Sequence, residues 1–164
     1  MAEYTFKENQ RFRQTWIWII LFLVNGLSVW AMFFASQPKP TEGWENLVPI
    51  LILLLVNAFF LSLRLKTQIN SAGIRFSYFP LLKEKSYSFD QIESLEVIEY
   101  NPLSNYGGWG IRFNFDSWAY TTGGNFGIIV TTPSKKFLLG TQKPEEAKKA
   151  IAHFFLFKSE KHGG

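Results

Sequence analysis

TWIWIILFLVNGLSVWAMFFA, residues 15–35, and LVPILILLLVNAFFLSL, residues 47–63, decide how the rest of the chain is read. Each run approaches the length that crosses about 30 Å of hydrocarbon at about 1.5 Å per helical residue. Both are apolar on every face, which sets them apart from the one-sided stripe of a helix packed on a soluble core. They predict two membrane spans, over about 16–35 and 47–63. A cleaved signal peptide fits poorly: the first run is too long for an h-region, and Phe33 spoils an Ala-x-Ala pattern before Ser36.

The connector SQPKPTEGWEN holds Pro38, Pro40 and Gly43, which favour a turn, and Trp44, which suits an interface. Lys7, Arg11 and Arg13 precede the first run and Arg64 and Lys66 follow the second, whereas the connector sets Lys39 against Glu42 and Glu45. The positive-inside rule then places both termini in the cytoplasm. Asn25 and Asn57 are the polar residues deepest in the runs and fall at similar depth in antiparallel helices. They predict an interhelical amide pair rather than a conduction path, which needs more charge.

The chain has 164 residues, a net charge of +4 and a mean hydropathy of +0.01, the last an average over an apolar first third and a polar, aromatic-rich remainder. Without the first 66 residues or so, enough chain remains for one small core. The absence of cysteine excludes disulfides, thiolate nucleophiles and Cys-based metal sites. The two histidines, His153 and His162, remove most acid–base and transition-metal designs. The modest positive charge points to an anionic lipid surface ahead of nucleic acid, and no nucleic-acid partner is expected.

From Thr67 the pattern changes to alternation, the mark of strands with one buried face. After the turn residues Asn70–Gly73, Ile74, Phe76 and Tyr78 alternate with Arg75 and Ser77; Pro80 ends that strand and Lys83-Glu84-Lys85 reads as a charged bend. Ser86–Phe89 is a short strand, Asp90 caps a helical turn, and Leu95–Tyr100 is another strand. Asn101–Gly110 is a loop, followed by alternating Ile111, Phe113 and Phe115, a Gly123-Gly124 turn, the strand of Phe126, Ile128 and Val130, and a last strand over Lys136–Gly140. Pro144, Glu145 and Glu146 then open a helix over about 144–158, with Ala147, Ala150, Ile151, Phe154 and Phe155 on one face.

The predicted architecture is mainly β (α+β): a transmembrane hairpin in residues 1–66, then a seven-stranded domain in 67–164 closed by a C-terminal helix. This layout resembles bacterial membrane-anchored proteins with pleckstrin-homology-like domains. The likeness rests on Ile74–Tyr78 after a glycine turn, on YSFDQIESLE (87–96), on YGGWGIR (106–112) and on FLLGTQKPE (137–145). It implies a PH-like barrel and a multi-pass protein of the bacterial inner membrane. The eukaryotic phosphoinositide site uses a basic cluster in an early strand–strand loop; here the first such loop, Asn70–Gly73, has no basic residue.

Arg75, Lys83, Lys85, Lys135 and Lys136 are the candidate contacts to anionic lipid headgroups, each worth up to about 1 kcal/mol near the bilayer. An ordinary solvated face interleaved with glutamates is the competing reading. Tyr106 and Trp109 are the candidate partner-contact loop, against a tight glycine bend that buries Trp109. Gly107-Gly108-x-Gly110 lacks a following Lys-Ser/Thr and precedes a strand, so it is not a P-loop. No catalytic, cofactor-binding or metal residue is identified, and no cofactor is expected. The expected function is a non-catalytic, membrane-tethered binding or assembly module, with an accessory subunit of a transporter or channel complex as the alternative. The lipid bilayer, a second copy of the chain and a membrane-protein partner are the expected associates.

Overall fold

A computed structural model describes residues 5–12, 14–31, 34 and 47–162, with 157–162 as backbone alone. Two units emerge. One is the helical segment Arg13–Ser62; the other joins the described residues up to Phe12 to everything from Leu63 onward.

In the helical unit the apolar runs form helices α1, Thr15–Trp30, and α2, Leu47–Ser62, of sixteen residues each. At about 1.5 Å per residue each rises about 24 Å, short of the roughly 30 Å of a hydrocarbon core. Among the described residues no helix is long and apolar enough to cross a membrane. The expected transmembrane hairpin therefore falls, and with it the multi-pass inner-membrane placement and the cytoplasmic assignment of the termini. The run ending at Leu63 is cut short because Leu63 is buried and Arg64 already begins a strand. Ala35, the connector 36–46 with Trp44, and Arg13 lie outside the described residues.

Asn25 and Asn57 face each other across this unit. Asn57 Nδ2 donates to Asn25 Oδ1 at 2.9 Å, and Asn25 Nδ2 donates to Asn57 Oδ1 at 3.4 Å. Each amide also donates to a carbonyl one turn back in its own helix, Leu21 at 2.6 Å and Leu53 at 2.7 Å. The reciprocal pair fixes the facing register of two otherwise featureless apolar helices. Elsewhere large side chains such as Phe22, Leu27, Leu54 and Leu55 stand exposed.

The second unit contains nine strands in two sheets among the described residues, not a seven-stranded PH-like barrel. The first sheet is β1 (Phe6–Arg11), β2 (Arg64–Asn70), β3 (Gly73–Phe79) and β4 (Leu82–Ser88), in that order and antiparallel throughout. The second has the order β5-β8-β9-β7-β6, built from β5 (Ser94–Glu99), β6 (Gly110–Phe113), β7 (Trp118–Thr121), β8 (Phe126–Thr132) and β9 (Lys135–Thr141). Its β7–β9 pair is parallel and the others are antiparallel. A short helix α3, Pro102–Tyr106, joins β5 to β6, and α4, Pro144–His162, ends the described chain.

Register explains the core. Residues opposite one another in a ladder point to the same side, so the inward rows of the first sheet read Phe6–Ile69–Ile74–Tyr87, Glu8–Thr67–Phe76–Lys85 and Gln10–Leu65–Tyr78–Leu82. In the second sheet the facing rows are Leu95–Val130–Phe137–Trp118–Phe113 and Val97–Ile128–Leu139–Tyr120–Ile111. Phe76 meets Phe137 and Tyr120 with ring centroids 5.2 and 5.0 Å apart, so the two inner faces are in direct contact. Helix α4 lies over β1, β2, β5 and β8, burying Ala147, Ala150, Ile151 and Phe154. The outer face of the second sheet has its own small cluster, Tyr100, Ala119 and Leu138 with Ile98, Tyr106 and Ile129.

The two sheets are also stapled by polar side chains on β1. Gln10 Nε2 donates to the Gly140 carbonyl at 2.6 Å, and Thr122 Oγ1 donates to Gln10 Oε1 at 3.0 Å. Glu8 accepts from Thr141 Oγ1 at 2.7 Å and from the Gln142 backbone N–H at 2.8 Å. Buried Tyr78 adds a third tie, its hydroxyl donating to the Thr121 carbonyl at 3.1 Å.

Burial pushes the Tyr78 phenol well above its ordinary range, with only partial relief from Arg112. Below pH 10 the phenol is neutral in folded and unfolded chains alike. Above it the unfolded phenol ionises first, so the folded state holds the extra proton and stability falls as pH rises. Each such tyrosine contributes a slope of about 1.4 kcal/mol per pH unit. Tyr78→Phe is expected to make alkaline unfolding, followed by urea titration between pH 10 and 12, shallower by about one proton. An unchanged slope would show that Tyr78 ionises freely in the fold.

Candidate ligand cleft

No ladder joins the β4 edge of the first sheet to the β6 edge of the second. There the inner faces separate around a cleft of about 400 Å3, within the roughly 300–1,000 Å3 usual for small-molecule sites. Phe76, Tyr120 and Phe137 are buried and form its floor; Leu82, Tyr87, Ile111 and Trp118 form its walls. The rings touch in sequence: Tyr87 lies 5.1 Å from Phe137 and 6.3 Å from Phe76, and Trp118 is 6.5 Å from Tyr120.

Two lysines, Lys85 and Lys135, complete the lining. Both sit at inward register positions, Lys85 opposite Phe76 and Lys135 two residues before Phe137 on the same face of β9. A cation in such a position is unusual, because inward strand positions normally carry apolar side chains. Lys135 Nζ stands 5.1 Å from the centre of the Tyr87 ring, a cation–π contact that leaves its other donors free to meet a ligand. Among the described residues neither lysine has a carboxylate within salt-bridge distance, and no Asp or Glu lines the cleft. Burial, then Tyr87, push the Tyr120 phenol up while Lys135 opposes them, so its hydroxyl stays protonated at neutral pH.

The structure thus divides the five basic residues singled out in the sequence. Lys85 and Lys135 both line the cleft. Arg75 lies on the outer face of the first sheet, lining a separate polar groove of about 260 Å3 with Lys7, Lys66 and Glu84. Lys83 is exposed on β4, and Lys136 points away from the cleft with its Nζ 4.0 Å from Asp116 Oδ2. The expected charged bend at Lys83-Glu84-Lys85 is instead part of β4, with an irregularity in its pairing to β3; the turn is at Pro80-Leu81.

Tyr106 and Trp109 are half-buried and each is hydrogen-bonded within the β unit. The Tyr106 hydroxyl is 2.9 Å from Ser117 Oγ, and Trp109 Nε1 donates to the Gly124 carbonyl at 2.8 Å. Asn101 caps α3 by accepting from the Leu103 and Ser104 N–H groups, and Gly107 ends it at φ +67°.

The aromatic residue that does stand out is Phe115, which sequence alternation places on a strand. It lies in the β6–β7 turn at φ +68° and is 97% exposed. Asn114 builds that turn, its Oδ1 accepting from the Asp116 and Ser117 N–H groups. From Phe115 a run of ring contacts leads through Phe113, at 6.1 Å, to Trp118, at 5.1 Å from Phe113, and so to the cleft.

The sequence signal for this site is a phase relation, lysine in step with inward aromatics in Lys85-x-Tyr87 and Lys135-x-Phe137. It becomes meaningful only when the two strands are known to face each other. No protein family, characterised protein or solved structure matches this chain. The resemblance to PH-like domain proteins therefore rests on the motifs quoted for it alone.

Proposed function

We propose that the β unit is a non-catalytic binding module that takes its ligand in the cleft between the β4 and β6 edges. The observation that carries this reading is a concave aromatic lining continuous with the domain core yet open to solvent. Aromatic walls with a few polar groups suit recognition by shape and apolar contact. The lining offers lysines and phenols but no carboxylate or imidazole to exchange protons near neutral pH.

The test uses N-phenyl-1-naphthylamine, a neutral apolar probe, and the indole N–H resonance of Trp118 in the 15N-labelled full-length chain, assigned with Trp118→Phe. The probe is expected to shift this resonance saturably, and Ile111→Trp, which fills the cleft, to weaken the effect at least about tenfold. Binding elsewhere on exposed apolar surface would leave Trp118 unmoved. A Trp118 resonance that does not respond would defeat the reading.

A further inference from the structure

We infer that the cleft is built for an amphipathic anion: an acyl or aryl body seated on Phe76, Tyr120 and Phe137, and a carboxylate or phosphate head held between Lys85 and Lys135. This rests on the cleft being a binding site and adds the class of its ligand.

Charge complementarity carries the inference. The two sheets devote their facing inward positions here to aromatic rings, two aliphatic side chains and two cations, with no anion in the lining to balance them. Lys85 arrives from β4 of the first sheet and Lys135 from β9 of the second. A head between them would be gripped from both sides, while the floor below presents aromatic rings to the body.

A lysine stem can pack along apolar surface and keep its ammonium at the wet edge, which orients a ligand body-in and head-out. The Tyr87 ring under Lys135 holds that ammonium at the rim without neutralising it. The protonated Tyr120 hydroxyl adds a donor in the same lining. A neutral apolar ligand would use the floor and leave both cations without a counter-charge. A small free anion would use the cations and leave the floor wet. An amphiphile satisfies both.

The test compares probes that share a body and differ in charge. N-Phenyl-1-naphthylamine is the neutral member, and 1-anilinonaphthalene-8-sulfonate carries an anionic group on the same rings. Decanoate and decyl phosphate, each below its micelle concentration, test the two natural head chemistries. Acetate and inorganic phosphate test the head without a body.

With Trp118 as reporter, the anionic naphthalene is expected to bind at least about tenfold more tightly than the neutral one. That is the effect of one charge-assisted contact. Lys85→Gln with Lys135→Gln should abolish this preference, leave the neutral probe's affinity within about twofold, and weaken decanoate and decyl phosphate together. Retained binding of the neutral probe reports that the variant is folded. Whichever of the two alkyl anions binds more tightly identifies the head.

Equal affinity for the two naphthalenes, or an anion preference that survives the double substitution, would overturn the inference while leaving the cleft a binding site. Acetate or phosphate binding as tightly as its decyl counterpart would also overturn it, by showing that the apolar floor contributes nothing. Silence of Trp118 toward every probe would instead defeat the reading of the cleft as a site.

Discussion

Replacing Glu8 and Gln10 together by alanine is expected to lower the unfolding free energy by about 4 kcal/mol or more, against a total of about 5–15 for a domain of this kind. Both side chains are buried on β1 in the company of Phe6, and both reach across to the second sheet. Their loss removes a partner from four polar groups: the Gly140 carbonyl, the Thr122 hydroxyl, the Gln142 N–H and the Thr141 hydroxyl, which keeps only the bond it accepts from the Lys143 N–H. Each unsatisfied buried group costs about 1–3 kcal/mol, less where water enters. Glu8→Gln alone preserves shape and one acceptor and should lose far less. Urea denaturation followed by far-UV circular dichroism gives both values. A loss below about 1 kcal/mol for the double variant would mean that β1 is a dispensable edge rather than a staple.

Gly73→Val is expected to cost more than about 3 kcal/mol. Gly73 has φ +144° and pairs with Ser88 at the start of β3, and a Cβ there would collide with the carbonyl oxygen of Tyr87. The obstruction is backbone, so no rotamer change relieves it. Gly107 provides the contrast. It also has positive φ, +67°, but a Cβ at this position would meet nothing within 4 Å, and its conformation is one that asparagine tolerates. Gly107→Asn should therefore cost about 1 kcal/mol or less. Similar losses at the two positions, measured in the same denaturation series, would show that positive φ alone governs both.

Most of the β unit is legible in the sequence because its strands alternate. Ile74, Phe76 and Tyr78 do turn inward, and so do Ile128 and Val130. The terminal helix begins at Pro144 and buries Ala147, Ala150, Ile151 and Phe154. Strand β1 is hidden because its inward positions after Phe6 are Glu8 and Gln10, which read as solvent-facing until their partners on β9 and beyond are seen. The end of α2 escapes a hydropathy reading: the apolar run continues to Leu63, but Ser62 is the last helical residue and a strand starts at Arg64. The candidate site is half legible: Lys85 and Lys135 stand among the basic residues of interest, but local pattern does not separate them from Arg75, Lys83 and Lys136. Pairing a lysine on β4 with one on β9 is a long-range fact, and only the fold supplies it.

Arg11 and Arg64 are register partners at the matching ends of β1 and β2. The fifty or so residues of the helical unit are therefore an insertion in a single β-hairpin, entering and leaving at neighbouring points of one ladder. Loop-closure entropy grows only as about (3/2)RT ln n, so a four-residue turn in their place would ease the closing of β1 onto β2 by about 2 kcal/mol. The same slow growth means that lengthening the insertion hardly weakens the sheet. The entropy of closing β1 onto β2 thus sets little limit on the length of the segment inserted at this junction.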